Sequence, residues 1–182
     1  MATVLGAQVG TMLGMTAVEA VRRRNRRPYR FPVSEPDTVM SIQGEVRIYT
    51  FGRDLFEDML EDIANAHHRV LFETFIWKAD EFGQRFKDAL VAAADRGVEV
   101  YAVYDEFANL VVPRTFFDFP ESVNIQRHPL IGGPAFLDPR NSGRDHRKLL
   151  IIDAEIGYIG GYNIGDTYAD RWRDTHARLV GP

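Results

Sequence analysis

A histidine, a lysine and an aspartate stand at fixed spacings around an apolar run, and two glycines and an asparagine follow them. The stretch reads DHRKLLIIDAEIGYIGGYN over residues 145–163. His146 and Lys148 are two residues apart, so on a strand their side chains lie on one face, about 7 Å from each other. A lysine ammonium attracts phosphate, and a neutral imidazole can attack phosphorus or transfer a proton near pH 7. The pair therefore indicates chemistry on a phosphate ester.

An isolated His-x-Lys pair is more often an ordinary surface feature, and the residues that continue the pattern decide against that interpretation. Asp153 completes H-x-K-x4-D, and Gly160, Gly161 and Asn163 follow it. With these residues the stretch resembles the HKD signature of the phospholipase D superfamily, H-x-K-x4-D-x6-G-[GS]-x-N, at every defined position. VLFETFIWKADEFGQRFKDALVAAADRGVEVYAVYD, GGYNIGDTY and WRDTHARLVGP are similar to the first half of bacterial cardiolipin synthases. The resemblance covers roughly residues 42–182.

The resemblance implies a role for each motif residue. His146 would attack phosphorus to form a phosphohistidine, or protonate the leaving alcohol as a general acid. Lys148 and Asn163 would hold the non-bridging phosphate oxygens. Asp174, 28 residues after His146, matches the family's orienting acid for the histidine ring, although a simple strand-start aspartate is the alternative. Asp153 belongs to the catalytic signature, but its position after four aliphatic residues favours a structural role at a turn.

Other residues are weaker candidates for the same site. Glu73 interrupts the apolar run RVLFETFIW, where a carboxylate is costly unless paired, and it resembles a pocket glutamate of the family. Gly160 and Gly161 are expected to line the pocket. Asp105, at the end of a predicted strand, is as typical of loop capping as of a functional site. Arg144 and His176 are within possible reach of a phosphate, but solvated or structural positions are the more usual interpretation.

Alternating strands and helices must position these residues. From about residue 45, short strand patterns alternate with two amphipathic helix patterns, RDLFEDMLEDIANA and EFGQRFKDALVAAADRG. Strands separated by helices of this length imply crossovers, and hence an α/β fold with a mixed, mainly parallel β-sheet flanked by helices. HRKLLIID and IGYIGG are expected to be strands joined by a turn at Ala154 and Glu155, and DTHARLV to be the last strand. The fold would be phospholipase D-like, one HKD half-unit.

Composition limits the partners of the chain. The 182 residues are 45% hydrophobic and include no cysteine, so a folded core is expected, and disulfides and thiolate metal sites are excluded. Six arginines lie in RRRNRRPYR at 22–30; without them 16 basic residues remain against 26 acidic ones. The chain outside residues 22–30 is therefore acidic, which disfavours binding to nucleic acid, and no nucleic acid is expected as a partner. No H-E-x-x-H or acidic ligand cluster occurs, so neither a metal nor another cofactor is expected.

The chain before residue 42 divides into two predicted segments. Residues 1–21 contain 13 apolar residues with a glycine at every fourth position from 6 to 14, which predicts a membrane-associated helix. A disordered start and a helix packed on the body are the alternatives. Residues 22–41 are basic and proline-rich, which predicts a linker. The arginines would keep this end of the helix at the cytoplasmic face of a bacterial membrane.

The HKD signature occurs once, whereas the family's active site needs two. The resemblance therefore implies either two paired chains, as in the small single-motif nucleases of the superfamily, or a second half beyond residue 182. A chain truncated at its C-terminus is the favoured expectation. The leading predicted function is metal-independent phosphatidyl transfer between phospholipids, as in making cardiolipin from phosphatidylglycerol. A homodimeric nuclease or phosphodiesterase and a catalytically silent membrane or interaction module are the alternatives.

Overall fold

The computed structural model describes residues 32–42, 44–129 and 144–181. The predicted helix at 1–21 and most of the predicted linker lie outside these residues. Residues Val33–Pro182 group as one compact unit. The strands are β1 (Asp37–Ser41), β2 (Gly44–Tyr49), β3 (Arg69–Thr74), β4 (Glu99–Asp105), β5 (Val123–His128), β6 (Leu149–Ile152), β7 (Ile156–Gly160) and β8 (His176–Val180). The helices are α1 (Gly52–Ala64), α2 (Glu81–Asp95) and α3 (Asp166–Asp170), with a 3-10 turn at Arg114–Phe117.

All eight strands form one sheet in the order β1-β2-β8-β7-β6-β3-β4-β5. The predicted mixed α/β fold is confirmed, with one correction: the sheet is not mainly parallel. Only β3 with β4 and β4 with β5 pair in parallel within the described residues, while the other five pairings are antiparallel. The reason lies in the connections. Helical crossovers such as α2 produce parallel neighbours, whereas the short turn between β6 and β7 forces antiparallel pairing.

The helices cover one face of the sheet because their apolar stripes match it. Helix α1 buries Leu55, Phe56, Met59 and Ile63, and α2 buries Phe82, Phe86, Leu90 and Ala93. The spacings of these residues are those of one helix face. These side chains pack with alternate strand residues in a single core cluster. On the opposite face, apolar side chains from five strands are exposed, and none of the described helices covers them: Leu71, Tyr101, Ile151, Ile159 and Leu179.

Strand β1 corrects the predicted extent of the linker. Residues 37–41, the last five of that segment, pair antiparallel with β2 at the edge of the sheet. The side chains of residues 37–40 are all exposed. Because none of the described helices packs over this edge strand, its side chains do not alternate between buried and exposed positions. The folded domain therefore begins before residue 42.

Candidate active site

Lys148 directly precedes strand β6 and is held under the surface. Alternation along the strand puts its side chain on the side of the buried Leu150 and Ile152, and it is 5% exposed. Its Nζ donates a hydrogen bond to the carbonyl oxygen of His146 at 2.6 Å. Burial lowers the pKa of Lys148, while Asp174 and Asp145 act in the opposite direction. The ammonium is therefore fixed directly behind the backbone of the histidine.

His146 presents its ring to solvent beside Phe75. The side chain is exposed, and the two ring centroids are 4.5 Å apart at an interplanar angle of 59°. The Phe75 ring also lies 5.2 Å from the Lys148 Nζ, within the range of a cation-π contact. Within the part of the chain that the structure describes, no hydrogen bond joins the ring nitrogens of His146 to another side chain. The imidazole is thus positioned by packing and open to a substrate.

Gly160 and Gly161 make room for the side chains of Asp174 and His176. A Cβ on Gly161 would overlap the carboxylate of Asp174, and a Cβ on Gly160 would come within 2.6 Å of the His176 ring. The Asp174 Oδ1 accepts a hydrogen bond from the Thr175 amide at 2.9 Å, and its Oδ2 a long one of 3.4 Å from the Trp172 indole. Asp174 contributes to the electrostatic environment of Lys148. The glycines therefore allow Asp174 and Lys148 to approach one another.

Asn163 is buried and partly engaged by its neighbours. Its Oδ1 accepts a hydrogen bond from the Ile76 amide at 3.0 Å, and its side chain also hydrogen-bonds Tyr168. Ile76 and Ile164 are joined by a backbone bond of 3.0 Å from the Ile164 amide to the Ile76 carbonyl. The amide group of Asn163 is therefore fixed by the loops after β3 and β7, and it does not move independently of them.

Asp153 lies at the opposite end of β6 from Lys148. Its carboxylate accepts hydrogen bonds from the amides of His67, His68 and Arg69 at 2.7–2.8 Å. Although burial favours the protonated form, these three bonds hold the pKa of Asp153 below its ordinary value. The sequence placed Asp153 in the catalytic signature but favoured a structural role at a turn. The structure agrees with the structural role and not with the catalytic grouping, because the carboxylate ties the turn after β6 to the start of β3.

Two carboxylates and an arginine form a cluster beside His146. The Arg147 guanidinium lies 2.8 Å from Glu73 Oε1 and 2.9 Å from Asp145 Oδ1. Burial, and then a hydrogen bond with Asp145, raise the pKa of Glu73 to about 7. The bond from Arg147 holds the pKa of Asp145 well below its usual range. Near pH 7 the Glu73 carboxyl is therefore between its protonated and ionised forms, beside Asp145, the residue that directly precedes the histidine.

The loop after β4 is joined to this cluster through Asp105 and Asn109. The fully buried Asp105 accepts from the Ala108 amide at 3.0 Å and from the Asp145 amide at 3.2 Å. Asn109 accepts from the Trp77 amide at 2.8 Å and donates to the carbonyl oxygens of Phe75, at 2.9 Å, and Asp105, at 2.8 Å. Asp105 thus does both things that the sequence left open: it caps its loop and it supports the site.

Comparisons with known proteins agree with this geometry. A family model described as "Cardiolipin synthase, PLD-like domain" matches residues 59–179. The chain belongs to this family. It is 38% identical over 152 residues to "Major cardiolipin synthase ClsA" of Bacillus subtilis, covering 79% of this chain and 31% of that protein. It is 34% identical over 155 residues to a cardiolipin synthase of Staphylococcus aureus, covering 78% and 30%. The chain thus spans about a third of the length of these curated relatives.

Three solved structures share the fold of this chain. NucT from Helicobacter pylori superposes with a TM-score of 0.59 at 15% identity, over 74% of this chain and 84% of that one. Nuc from Salmonella typhimurium, a phospholipase D family member, gives 0.55 at 21% identity, over 81% and 84%. Phosphatidylserine synthase from Haemophilus influenzae gives 0.59 at 17%, over 80% of this chain and 34% of that one. The predicted family and fold are confirmed.

His176 occupies a position in this cardiolipin synthase-like domain that its sequence did not reveal. The side chain is 2% exposed, and neither ring nitrogen has a hydrogen-bond partner among the described residues. Burial lowers its pKa to about 4, although the nearby Asp174 acts in the opposite direction. The ring lies over Gly160 and 6.3 Å from the ring of Tyr162. His176 is therefore a neutral imidazole packed behind the site.

The described part of the domain holds one HKD motif and neither a metal cluster nor a spanning helix. No group of three or more His, Asp or Glu residues in residues 32–42, 44–129 and 144–181 is arranged to hold a metal ion. In the same residues no helix is long and apolar enough to cross a bilayer. The side chains that the site offers for phosphate chemistry are those around His146.

Proposed function

We propose that this domain supplies one half of a phosphatidyltransferase site, which moves phosphatidyl groups between phospholipids through a phosphohistidine on His146. The observation that carries the proposal is the exposed His146 ring with the buried Lys148 ammonium bonded to its own carbonyl oxygen at 2.6 Å. A nucleophile and a cation for phosphate are thereby held in fixed relation. Identities of 34–38% to proteins named cardiolipin synthases support phospholipids as the substrate class.

The reaction begins with attack of a His146 ring nitrogen on the phosphorus of phosphatidylglycerol. A bond from nitrogen to phosphorus forms, and the phosphorus–oxygen bond to the glycerol headgroup breaks. The leaving oxygen takes a proton from a second histidine, which acts as the general acid. A hydroxyl of another phosphatidylglycerol then attacks the phosphohistidine and gives its proton to that second histidine. The products are cardiolipin and free glycerol, and His146 is restored.

Three other side chains support the histidine in this proposal. Lys148 and Asn163 hold the non-bridging oxygens, where negative charge builds up in the transition state. Asp174 is to accept a hydrogen bond from the His146 ring in the reacting complex, a bond that is not formed among the described residues, and so stabilise the cation formed during transfer. Its weak 3.4 Å contact with Trp172 leaves one carboxylate oxygen available for this bond. The closeness of Asp174 to Lys148 also balances the charge of the site.

The second histidine comes from another HKD motif, in a second chain or in a further half of the protein. Residues 1–21 hold the chain at the cytoplasmic face of a bacterial membrane, where its lipid substrate lies. Neither a cofactor nor a nucleic acid takes part in the proposed reaction. Phosphatidylglycerol is both donor and acceptor, because the hydroxyls of its headgroup serve as the nucleophile in the second step.

Product analysis with matched histidine variants tests this function. The wild-type chain, His146→Asn and His67→Asn are incubated with phosphatidylglycerol in mixed micelles, and cardiolipin and glycerol are measured by mass spectrometry. His67 is an exposed histidine whose side chain has no place in the proposed site. Where two chains pair to supply both histidines, we expect cardiolipin and glycerol in equal amounts from wild type and His67→Asn, and neither from His146→Asn. Turnover that persists in His146→Asn would refute the role of this residue.

A further inference from the structure

The loop after β4 carries three large apolar side chains that face the solvent. Phe107, Leu110 and Val111 are 54%, 57% and 83% exposed. In this tightly turned loop the Leu110 amide bonds the Phe107 carbonyl at 3.4 Å, and spacings of three and four residues then bring side chains to one side. These three residues are called the apolar tip. An exposed apolar cluster of this kind is typical of a surface that contacts another apolar phase.

The opposite side of the loop is fixed to the body of the domain. Asn109 bonds the backbone of Trp77 and Phe75, and Val112 is buried. The Val112 amide in turn donates to the Asn109 carbonyl at 3.0 Å. Because the inward residues fix the loop, the outward position of Leu110 and its two neighbours in the tip is set by the fold.

The apolar tip and His146 lie at the same end of the strands, beyond the C-terminal ends of β3 and β4. Two short chains of contacts join them. The carboxylate of Asp105 links the Ala108 amide, within the tip loop, to the Asp145 amide, one residue before His146. The second runs from the Asn109 side chain to the Phe75 carbonyl, and the Phe75 ring contacts the His146 ring at 4.5 Å. Whatever the tip contacts is therefore brought next to the reacting group.

Three arginines lie near the apolar tip. The Arg144 guanidinium lies over the Phe107 ring at 5.5 Å. Arg114 and Arg127 are exposed, and both approach one carboxylate oxygen of Glu106, at 3.9 and 3.6 Å. Guanidinium groups bind phosphate oxygens in two-point contacts. Apolar side chains with arginines beside them match the layering of a phospholipid surface, in which phosphates lie just outside the acyl chains.

We infer that the apolar tip inserts into the surface of a phospholipid bilayer and sets His146 at the level of the lipid phosphates. The inference rests on the proposed function, because it assumes that the phosphate attacked by His146 belongs to a membrane lipid. It goes beyond that function by giving the domain a docking surface of its own, separate from residues 1–21. Bilayer contact then delivers substrate along the plane of the membrane.

A fluorescent probe on the tip tests this directly, because the chain contains no cysteine and a single one is labelled cleanly. Val111→Cys carries an environment-sensitive nitrobenzoxadiazole group in the full-length chain. The matched control is Met40→Cys, which is 71% exposed on the edge strand. With vesicles of phosphatidylcholine and phosphatidylglycerol, emission at position 111 is expected to rise by about twofold or more and shift to shorter wavelength, as on entering an apolar phase. The probe at position 40 is expected to stay unchanged.

Two outcomes would overturn the inference. The first is an unchanged probe at position 111 while the chain sediments with the vesicles, which would place membrane contact elsewhere. The second is a change at position 111 that needs no vesicles and grows with protein concentration, which would show that a protein surface covers the tip.

An activity measurement separates failure of the inference from failure of the proposed function. The double variant Leu110→Ser with Val111→Ser is expected to lower turnover of vesicle phosphatidylglycerol by about fivefold or more, since two apolar contacts with lipid are lost. It should keep wild-type turnover of short-chain phosphatidylglycerol below its micelle concentration. Equal loss on both substrates would refute lipid docking. If no protein turns over either substrate, the proposed function fails, and the probe at position 111 still decides on insertion.

Discussion

Acid is expected to destabilise this domain through His176, whose buried ring must stay neutral in the folded state. Burial lowers its pKa from an ordinary 6.5 to about 4, so the unfolded chain takes up the proton first as the pH falls. The contribution of His176 to stability is thus fully present above pH 6.5 and is lost between pH 6.5 and 4. At about 1.4 kcal/mol per pKa unit, the full loss is about 3.5 kcal/mol. Solvent screens this ring little, because the residue is 2% exposed.

Urea unfolding of wild type and His176→Phe between pH 7.5 and 4.5 measures this effect. Phenylalanine keeps a planar ring over Gly160 and removes the titrating nitrogens. The free energy of unfolding of wild type is expected to fall by about 2.5 kcal/mol more than that of the variant over this range. Contributions from Glu73 and Asp145 are common to both proteins and cancel in the difference. His67→Gln, which changes an exposed imidazole, should follow wild type. Parallel pH dependences of wild type and His176→Phe would refute the reasoning.

Two further substitutions examine the surroundings of His146. Glu73→Gln removes the carboxyl whose pKa is raised to about 7. Turnover of phosphatidylglycerol by wild type is expected to decline as the pH rises through 7, because Glu73 then becomes negatively charged beside the phosphate. The variant should not show this decline. If turnover depends on pH in the same way in both proteins from pH 6 to 8.5, ionisation of Glu73 does not affect the reaction. Gly161→Ala places a methyl group on the Asp174 carboxylate and should reduce turnover by about tenfold or more, with a loss of about 1–3 kcal/mol in the free energy of unfolding. Unchanged turnover in that variant would show that the position of Asp174 is unimportant.

The order of strands and helices could be predicted because each has a local pattern. Helices α1 and α2 repeat apolar residues at helical spacing, and β3 and β4 are short apolar runs, each following one of these helices. The balance of parallel and antiparallel pairing could not be predicted from those patterns. This balance depends on which strands become neighbours. Strand β6, for example, pairs with β3, although the two strands are far apart in sequence. Strand β1 was missed because its exposed edge carries no burial pattern.

The candidate site was predictable as far as its motif reached. The fixed spacing of His146, Lys148 and Asn163 identified the family before any fold was known. Asn109 gave one weak signal, a polar residue in the apolar run EFANLVV. The burial of His176 had no local signal, because it depends on Gly160 in the neighbouring strand. The raised pKa of Glu73 likewise depends on Asp145, which is distant in sequence and is brought beside it by the fold.

The most direct measurement is phosphatidylglycerol turnover by wild-type chain alone and mixed with His146→Asn, over a wide range of protein concentration. If two chains each supply one histidine, turnover rises more steeply than linearly with concentration. At concentrations high enough to pair all chains, adding an equal amount of the variant lowers the activity of the same quantity of wild type to about half, since mixed pairs lack one histidine. Linear turnover that the variant leaves unchanged, or no turnover by folded protein at any concentration, would contradict a two-histidine site built from two copies of this chain.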